Sequence, residues 1–375
     1  MRSFFTIEHQ SKRSRARAGR IKTAHGDILT PCFVPVATNA CLKAVDSSLV
    51  EDLAIQLMFC NTYHLMLHPG SEIVAKAGGL HNFMNRQKPL ITDSGGFQVF
   101  SLAYGGVDQE LKSQGTKKQS GGVIRINEEG VLFRSYRDGS PLLLTPETSV
   151  LAQKDLGADL IIPLDELPPY HIDAHALQQS FNRTHRWQLR SLAQHRNDPR
   201  HQFMYGVVHG SVDADLRKKS SKILADNAFD GMAIGGSLGK NRDEMITMLM
   251  NLMPHLPHER PVHLLGIADI PSIDSGVRLG IDTFDSSHPT KCARHGLLFT
   301  DLGMINIGKG IYKSDMRPVD ASCDCRLCRH YSTAYIHHLF KAHEPAALTL
   351  ASLHNLHYMI KLFERYRQQI LNDEI

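Results

Sequence analysis

Apolar residues along this chain gather into short runs, each bounded by glycine, proline or polar positions. They read CFVPVA (32–37), QLMFCNTY (56–63), PLITD (89–93), DLIIPLDE (159–166), QFMYGVVHG (202–210), GMAIGG (231–236), VHLLGI (262–267) and GIDTFDSS (280–287). Runs that are apolar at nearly every position suit parallel strands buried on both faces. Helical stretches lie between most of them. Thr145-Pro146-Glu147 has the form of a helix start, with Thr as N-cap, Pro in the first turn and an acid beside it, and the helix is predicted to run to Gly157. Residues 173–196, 213–228, 241–252 and 271–279 also read as helical. Strand–helix alternation repeated eight times predicts a (β/α)8 TIM barrel; a doubly wound sheet would alternate in the same way.

Residues 97–144 break the alternation. VIRIN, VLFRSY and PLLLT are β-type runs, and Arg137-Asp138-Gly139-Ser140 between the last two is a hairpin signal. An antiparallel β insertion after the third strand is expected. The expected division is a catalytic barrel over 1–304, insertion included, and a smaller subdomain over 305–375 packed on it. Barrel enzymes carry their chemistry at the C-terminal ends of the strands. Those ends hold Asn61, Asp93, Asp165, His209, Gly235, Gly236, Gly266 and Asp285.

The chain has 375 residues, 42% hydrophobic and 21% charged, which is enough for a large core and excludes wholesale disorder. No apolar run approaches the roughly 18 residues of a membrane helix. The opening MRSFFTIEHQ is too short and too polar for a signal segment. A cytoplasmic protein with no membrane partner is expected. The net charge is +4, and Lys12, Arg13, Arg15, Arg17 and Arg20 crowd into one stretch. Such a cluster suits phosphate contact, or a solvated arm.

Seven cysteines, an odd number, argue against a secreted disulfide framework. Cys32, Cys41 and Cys60 are scattered, as is Cys292. Cys323, Cys325 and Cys328 form C-x-C-x2-C, and three thiolates so close call for a metal ion. Spacing leaves the fourth ligand open among His330, His337, His338, His343, His354 and His357. A closed Cys3His site would hold one structural zinc.

Asp93-Ser94-Gly95-Gly96-Phe97 places an acid, two glycines that let backbone N–H groups approach a ligand, and an aromatic that can stack on a planar base. Asp285 ends the eighth run. A carboxylate there can act as nucleophile at an anomeric carbon, with Asp93 or Asp165 handling protons. The bland alternative is that each aspartate caps the next turn. Lys291 and Arg294 can hold phosphate, and His209, beside Gly210, can touch a ligand.

In these residues the sequence resembles the queuine/archaeosine tRNA-ribosyltransferases, or tRNA-guanine transglycosylases. The likeness runs through Thr30-Pro31 to Pro35-Val36-Ala37-Thr38, Asn61-Thr62-Tyr63-His64-Leu65 with Pro69-Gly70, and Gly78-Gly79-Leu80-His81. It continues in Ile91-Thr92-Asp93-Ser94-Gly95-Gly96-Phe97-Gln98, Gln153-Lys154-Asp155-Leu156-Gly157-Ala158-Asp159, Ala233-Ile234-Gly235-Gly236 and Leu265-Gly266-Ile267. Gly280-Ile281-Asp282 to Phe284-Asp285, Pro289-Thr290, the cysteine cluster and His354-Asn355-Leu356-His357 complete it.

The resemblance implies a (β/α)8 barrel with a C-terminal zinc subdomain. It implies that Asp285 attacks C1′ of the wobble guanosine of GUN-anticodon tRNAs, forming a covalent RNA–enzyme intermediate, and that Asp93 assists proton transfer. Ser94, Gly95, Gly96, Phe97, Asp165, His209, Gly235, Gly236 and Gly239 would line the site of the 7-deazaguanine base. Gly266, Ile267, Ala268, Asp269, Ile270, Pro271 and Ser272, with Thr290, Lys291, Cys292, Ala293 and Arg294, would meet the anticodon stem-loop. The family pattern selects His354 as the fourth zinc ligand and implies a homodimer.

Three positions depart from the bacterial pattern. Leu167 stands where bacterial members carry Cys, His209 where they carry Gln, and Gly239 where they carry Val. Eukaryotic members, which take queuine, are closer to this chain at Leu167 and Gly239. A pocket open to queuine is therefore expected, beyond its smaller aminomethyl precursor preQ1. Four other readings compete with this one. They are exchange of the small precursor alone, the archaeal D-loop activity, a non-catalytic tRNA-binding accessory subunit, and a metal-dependent barrel hydrolase. The archaeal relatives carry extra C-terminal RNA-binding domains, for which the sequence up to Ile375 leaves no room. The accessory role sits poorly with intact Asp93 and Asp285 motifs, and the hydrolase would want a histidine pair on the first strand.

Overall fold

The structure is a computed structural model, and it describes residues 4–98, 101 and 122–375. The chain opens with an antiparallel sheet of β1 (Phe5–Gln10), β2 (Arg17–Thr23) and β3 (Gly26–Thr30). Then come β4 (Cys32–Pro35), β5 (Met58–Cys60) and β6 (Leu90–Thr92). A second antiparallel sheet follows, β7 (Val123–Ile126), β8 (Val131–Arg134) and β9 (Pro141–Leu144), and lies in the expected insertion. Of that insertion, residues 99, 100 and 102–121 fall outside the described residues. Five more parallel strands complete the set: β10 (Leu160–Ile161), β11 (Phe203–Val208), β12 (Gly231–Ile234), β13 (Val262–Leu264) and β14 (Thr283–Ser286).

The eight strands β4–β6 and β10–β14 coincide with the eight apolar runs. They pair in the order β4-β14-β13-β12-β11-β10-β6-β5, every neighbour parallel. A parallel bridge from Val36 to Phe59 brings the first and last strands together, with Ala37 N donating to Phe59 O at 2.7 Å. That contact nearly closes the ring and rules out the open doubly wound sheet. The expected helices are present as Pro146–Leu156, Ala174–Asn197, Ala214–Ala225, Arg242–Leu252 and Ile270–Arg278. Thr145, Asp173, Asp213, Asn241 and Asp269 cap their N-termini with side-chain oxygens. Gly157 ends the first of them at φ +71°, the left-handed conformation that favours glycine.

Side chains alternate along each strand. Val34, Phe59, Ile91, Val207 and Ala233 belong to the cluster inside the barrel, while Phe33, Met232, Ile234, Leu264 and Phe284 pack outward. The sheet β1–β3 contributes Phe5, Ile21 and Ile28 to the inner cluster. It also draws the basic stretch into the fold. Arg17 is buried and donates to both oxygens of the buried Asp282, at 3.0 and 2.6 Å, and to the carbonyls of His258 and Arg260. Arg20 pairs with Glu8 and Asp27, and Lys12 with Asp373. Arg17 is thus a structural cation, whereas Lys12, Arg13 and Arg15 are exposed.

After the barrel, β15 (Leu297–Thr300) and β16 (Gly303–Asn306) form a hairpin that straddles the division expected at 304. Past the short helix Arg326–His330 come two longer ones, Thr333–Lys341 and Pro345–Leu371. The last one spans two cores: Leu350 and Ala351 pack with Leu327 and Ile336, while Phe363, Tyr366 and Ile370 join the outer layer of the barrel. No helix among the described residues is long and apolar enough to cross a membrane.

Candidate active site and metal centre

Asp93 follows β6 directly. Its carboxylate accepts from Asn61 Nδ2 and Thr62 N, each at 2.7 Å, and Thr62 Oγ1 donates back to its carbonyl at 2.6 Å. Burial pushes its pKa up to about 6. The bonds from Asn61, Thr62 N and Gln98 oppose that rise, and the negative charge of Asp285 adds to it. Two carboxylates near each other with one of them poised to hold a proton is the arrangement acid–base chemistry uses.

Asp285 lies on β14 and is 6% exposed. Its Oδ1 accepts from Gly266 N at 2.9 Å and from His263 Nε2 at 3.0 Å. Gly266 has φ +76°, so the turn after β13 can aim its N–H at the neighbouring strand. In the sequence His263 is simply one position of the VHLLGI strand run, and nothing local marks it out; its contact with Asp285 follows from the strand pairing.

Asp165 faces the same mouth. Ser94 Oγ donates to its Oδ1 at 3.3 Å, and His209 Nε2 lies 2.8 Å from its Oδ2. Gly96 packs against it so closely that an added Cβ would sit 2.5 Å from the Asp165 carbonyl oxygen. Gly95 turns at φ +87°, and Phe97 is half exposed beside them. Gly235 and Gly236 follow β12. A Cβ on Gly235 would strike Val207 at 2.6 Å, and one on Gly236 would sit 3.0 Å from His209 Nδ1. His209 is therefore wedged between Asp165 and Gly236. A neutral imidazole there donates either to Asp165 or toward a ligand, and only the protonated ring does both. Arg217, fully buried, donates to the carbonyls of Ser211, Val208, Gly235 and Ser237 and fixes these turns from behind. Burial lowers its pKa to about 9.

Gly239 has φ +117°, a backbone that a β-branched residue does not adopt, and its missing Cβ points at Glu244. The glycine thus sets the path of this loop as well as its volume. Glu244 accepts from Tyr170 Oη at 2.9 Å and from Lys240 N at 2.7 Å.

The two segments expected to meet RNA follow the paired strands β13 and β14, and so share one side of the mouth. Gly266, Ile270, Pro271 and Lys291 are exposed, and Ile267, Asp269 and Arg294 half-buried. Ala268, Ser272, Thr290, Cys292 and Ala293 are buried and back the segments from inside.

Away from the mouth, Cys323, Cys325 and Cys328 surround His354 Nδ1 with S···N distances of 3.7, 3.3 and 3.5 Å. Tetrahedral zinc with ordinary Zn–S and Zn–N bonds would separate such atoms by about 3.6 Å. His354 Nε2 donates to the Phe299 carbonyl at 2.7 Å, which leaves Nδ1 as the ligand atom. His357, one turn on, pairs with Asp324 instead. The four residues can hold a metal ion.

The family model described as Queuine tRNA-ribosyltransferase matches residues 11–375. A protein named queuine tRNA-ribosyltransferase from Protochlamydia amoebophila is 60% identical over 371 residues, covering 99% of this chain and 96% of that protein. Proteins of the same name from Chlamydia felis and Chlamydia trachomatis serovar L2 are 57% and 54% identical, each over 99% of both chains.

Proposed function

This chain belongs to the queuine tRNA-ribosyltransferase family, and from that premise we propose that it exchanges the wobble guanine of GUN-anticodon tRNAs for queuine in preference to preQ1. It is a pentosyltransferase, a tRNA-guanine transglycosylase of queuosine modification. The queuine preference rests on Leu167 and Gly239; the observation that supports the exchange chemistry is the convergence of Asp93, Asp165 and Asp285 on one barrel mouth, each held by hydrogen-bond donors with no lysine or arginine paired to it among the described residues.

Asp285 attacks C1′ of the nucleotide. An O–C1′ bond forms, the C1′–N9 bond breaks, and guanine leaves with the electron pair. Asp93, able to hold a proton near neutral pH, gives it to the departing base and takes one from the incoming base. The new base then attacks C1′ and releases the Asp285 carboxylate. The target nucleotide must leave its stack to reach the mouth. Ser94, Gly95, Gly96, Phe97, Asp165, His209, Gly235, Gly236 and Gly239 receive it, and the segments 266–272 and 290–294 hold the anticodon stem-loop. One zinc ion, bound by Cys323, Cys325, Cys328 and His354, fixes a C-terminal subdomain (305–375) on the catalytic barrel (1–304). The enzyme works in the cytoplasm as a homodimer.

Base exchange into a wobble-guanosine tRNA, with queuine and preQ1 offered separately, tests this. Incorporation of queuine supports the open pocket at Leu167 and Gly239. Incorporation of preQ1 alone discards it and keeps the enzyme class. Exchange with neither favours the accessory-subunit role. A covalent RNA adduct on a denaturing gel that disappears in Asp285→Asn tests the intermediate.

A further inference from the structure

The inner face of the barrel is lined by apolar side chains such as Val34, Phe59, Ile91, Val207 and Ala233. His263 interrupts that lining and is completely buried. A histidine in such a place costs stability unless its nitrogens are satisfied. Strand register explains how they are. His263 on β13 pairs with Thr283 on β14, and Asp285 lies two residues on, facing the same way. His263 Nδ1 is 2.8 Å from Thr283 Oγ1, and Nε2 is 3.0 Å from Asp285 Oδ1. The Phe59 ring is stacked near the imidazole, with centroids 6.1 Å apart and planes inclined by 21°.

Both bonds to the carboxylate, from His263 and from Gly266 N, end on Oδ1. Among the described residues, none donates to Oδ2. We infer that His263 is a positioning residue that pins Oδ1 of Asp285 and so presents Oδ2 to the ribose C1′. The inference rests on the reading of Asp285 as nucleophile. Thr283 selects the tautomer: its hydroxyl donates to Nδ1, which leaves the proton on Nε2 facing the carboxylate. During attack the Oδ2–C1′ bond forms and the C1′–N9 bond breaks. Oδ1 becomes the ester carbonyl oxygen and keeps its bond from His263, whose proton never transfers. A neutral donor holds the carboxylate without withdrawing its charge as a guanidinium would.

The test measures single-turnover formation of the RNA adduct and the tRNA KM in the full-length enzyme, with folding checked by melting. His263→Phe keeps a ring and removes the donor. It should slow adduct formation on the order of 100-fold, the scale of a misplaced reacting group, with KM unchanged. His263→Gln, which returns an N–H near the Nε2 position, should recover most of the rate. Thr283→Val, nearly the same shape, should slow it about tenfold by freeing the tautomer, and decides the matter if the Phe variant does not fold. An unchanged rate in a folded His263→Phe or in Thr283→Val overturns the inference, as does a Gln variant no faster than Phe. Asp285→Asn separates the two readings. An adduct that persists in it removes the nucleophile reading. An adduct lost in it but formed at full rate in folded His263→Phe removes only the role of His263.

Discussion

The raised pKa of Asp93 makes a prediction about stability that needs no substrate. Its ordinary value is 3.8, and burial lifts it to about 6 in the fold despite three hydrogen bonds to the charged form. A difference of about two units is worth about 3 kcal/mol. The sign follows from linkage. The folded value lies above the unfolded one, so the folded state binds the proton more tightly. Its contribution is fully present below pH 3.8 and is lost as pH rises through 6. Asp93→Asn does not titrate. It does place an amide N–H against Asn61 or Thr62, a cost that does not vary with pH. The pH-dependent part of the difference therefore isolates the carboxyl. Between pH 4 and pH 7.5 the native enzyme should lose about 2 kcal/mol of this relative to Asp93→Asn, or about 3 °C of melting temperature for a chain of this length. Melting curves of both proteins across that range measure it. Parallel curves would mean that Asp93 titrates at its ordinary value and that burial does not poise it as a proton carrier. A native enzyme that gains relative to the variant as pH rises would reverse the sign and refute the desolvation account.

Three further outcomes are expected. Gly96→Ala places a methyl 2.5 Å from the Asp165 carbonyl oxygen and should abolish base exchange while tRNA binding, measured by filter retention, persists. Arg17→Ala leaves Asp282 buried without its cation and should cost about 3–5 kcal/mol in denaturant unfolding, with the salt slope of tRNA binding unchanged; a shallower slope would return Arg17 to the RNA surface. Atomic absorption should find one zinc per chain in the native protein and none in Cys325→Ser, with proteolysis of that variant starting in residues 305–375.

The parts of the fold that were readable in the sequence are those set by local physics. Strands buried on both faces have to be apolar at successive positions, so all eight barrel strands stood out, even β10 with its two paired residues. Helix caps are equally local, and Thr145, Asp173 and Asp213 mark their helices in both sequence and structure. The sheet β1–β3 was missed because Lys12, Arg13, Arg15, Arg17 and Arg20 read as a phosphate-contact or solvated arm, while the acid that buries Arg17 lies at Asp282, far along the chain. His263 was missed for the same reason: its meaning lies in the register against β14. The choice of His354 among six histidines depends on which face of a long helix meets the cysteines, and the spacing does not encode that.

Carboxylates in this protein are held in two ways, and the buried Asp159, held by His25, His81 and Leu90 N, shows that the lack of an arginine does not by itself mark a chemical role. Asp282, Glu147 and Glu166 are each paired with an arginine: Arg17, Arg190 and Arg183. Such a carboxylate is fixed in place and poor at attacking carbon, because the cation holds its lone pairs. The acids of the mouth are held by an amide, backbone N–H groups, a hydroxyl and imidazoles. Meanwhile the buried arginine beside them, Arg217, spends its N–H groups on backbone carbonyls and touches none of the three. A guanidinium redirected to Asp165 or Asp285 would stabilise the ionised acid in the resting enzyme and raise the barrier to covalent attack. The barrel thus keeps its cation to shape the turns at Gly235 and Ser237. It leaves the mouth carboxylates to donors that carry no guanidinium charge, which is what the proposed attack by Asp285 requires.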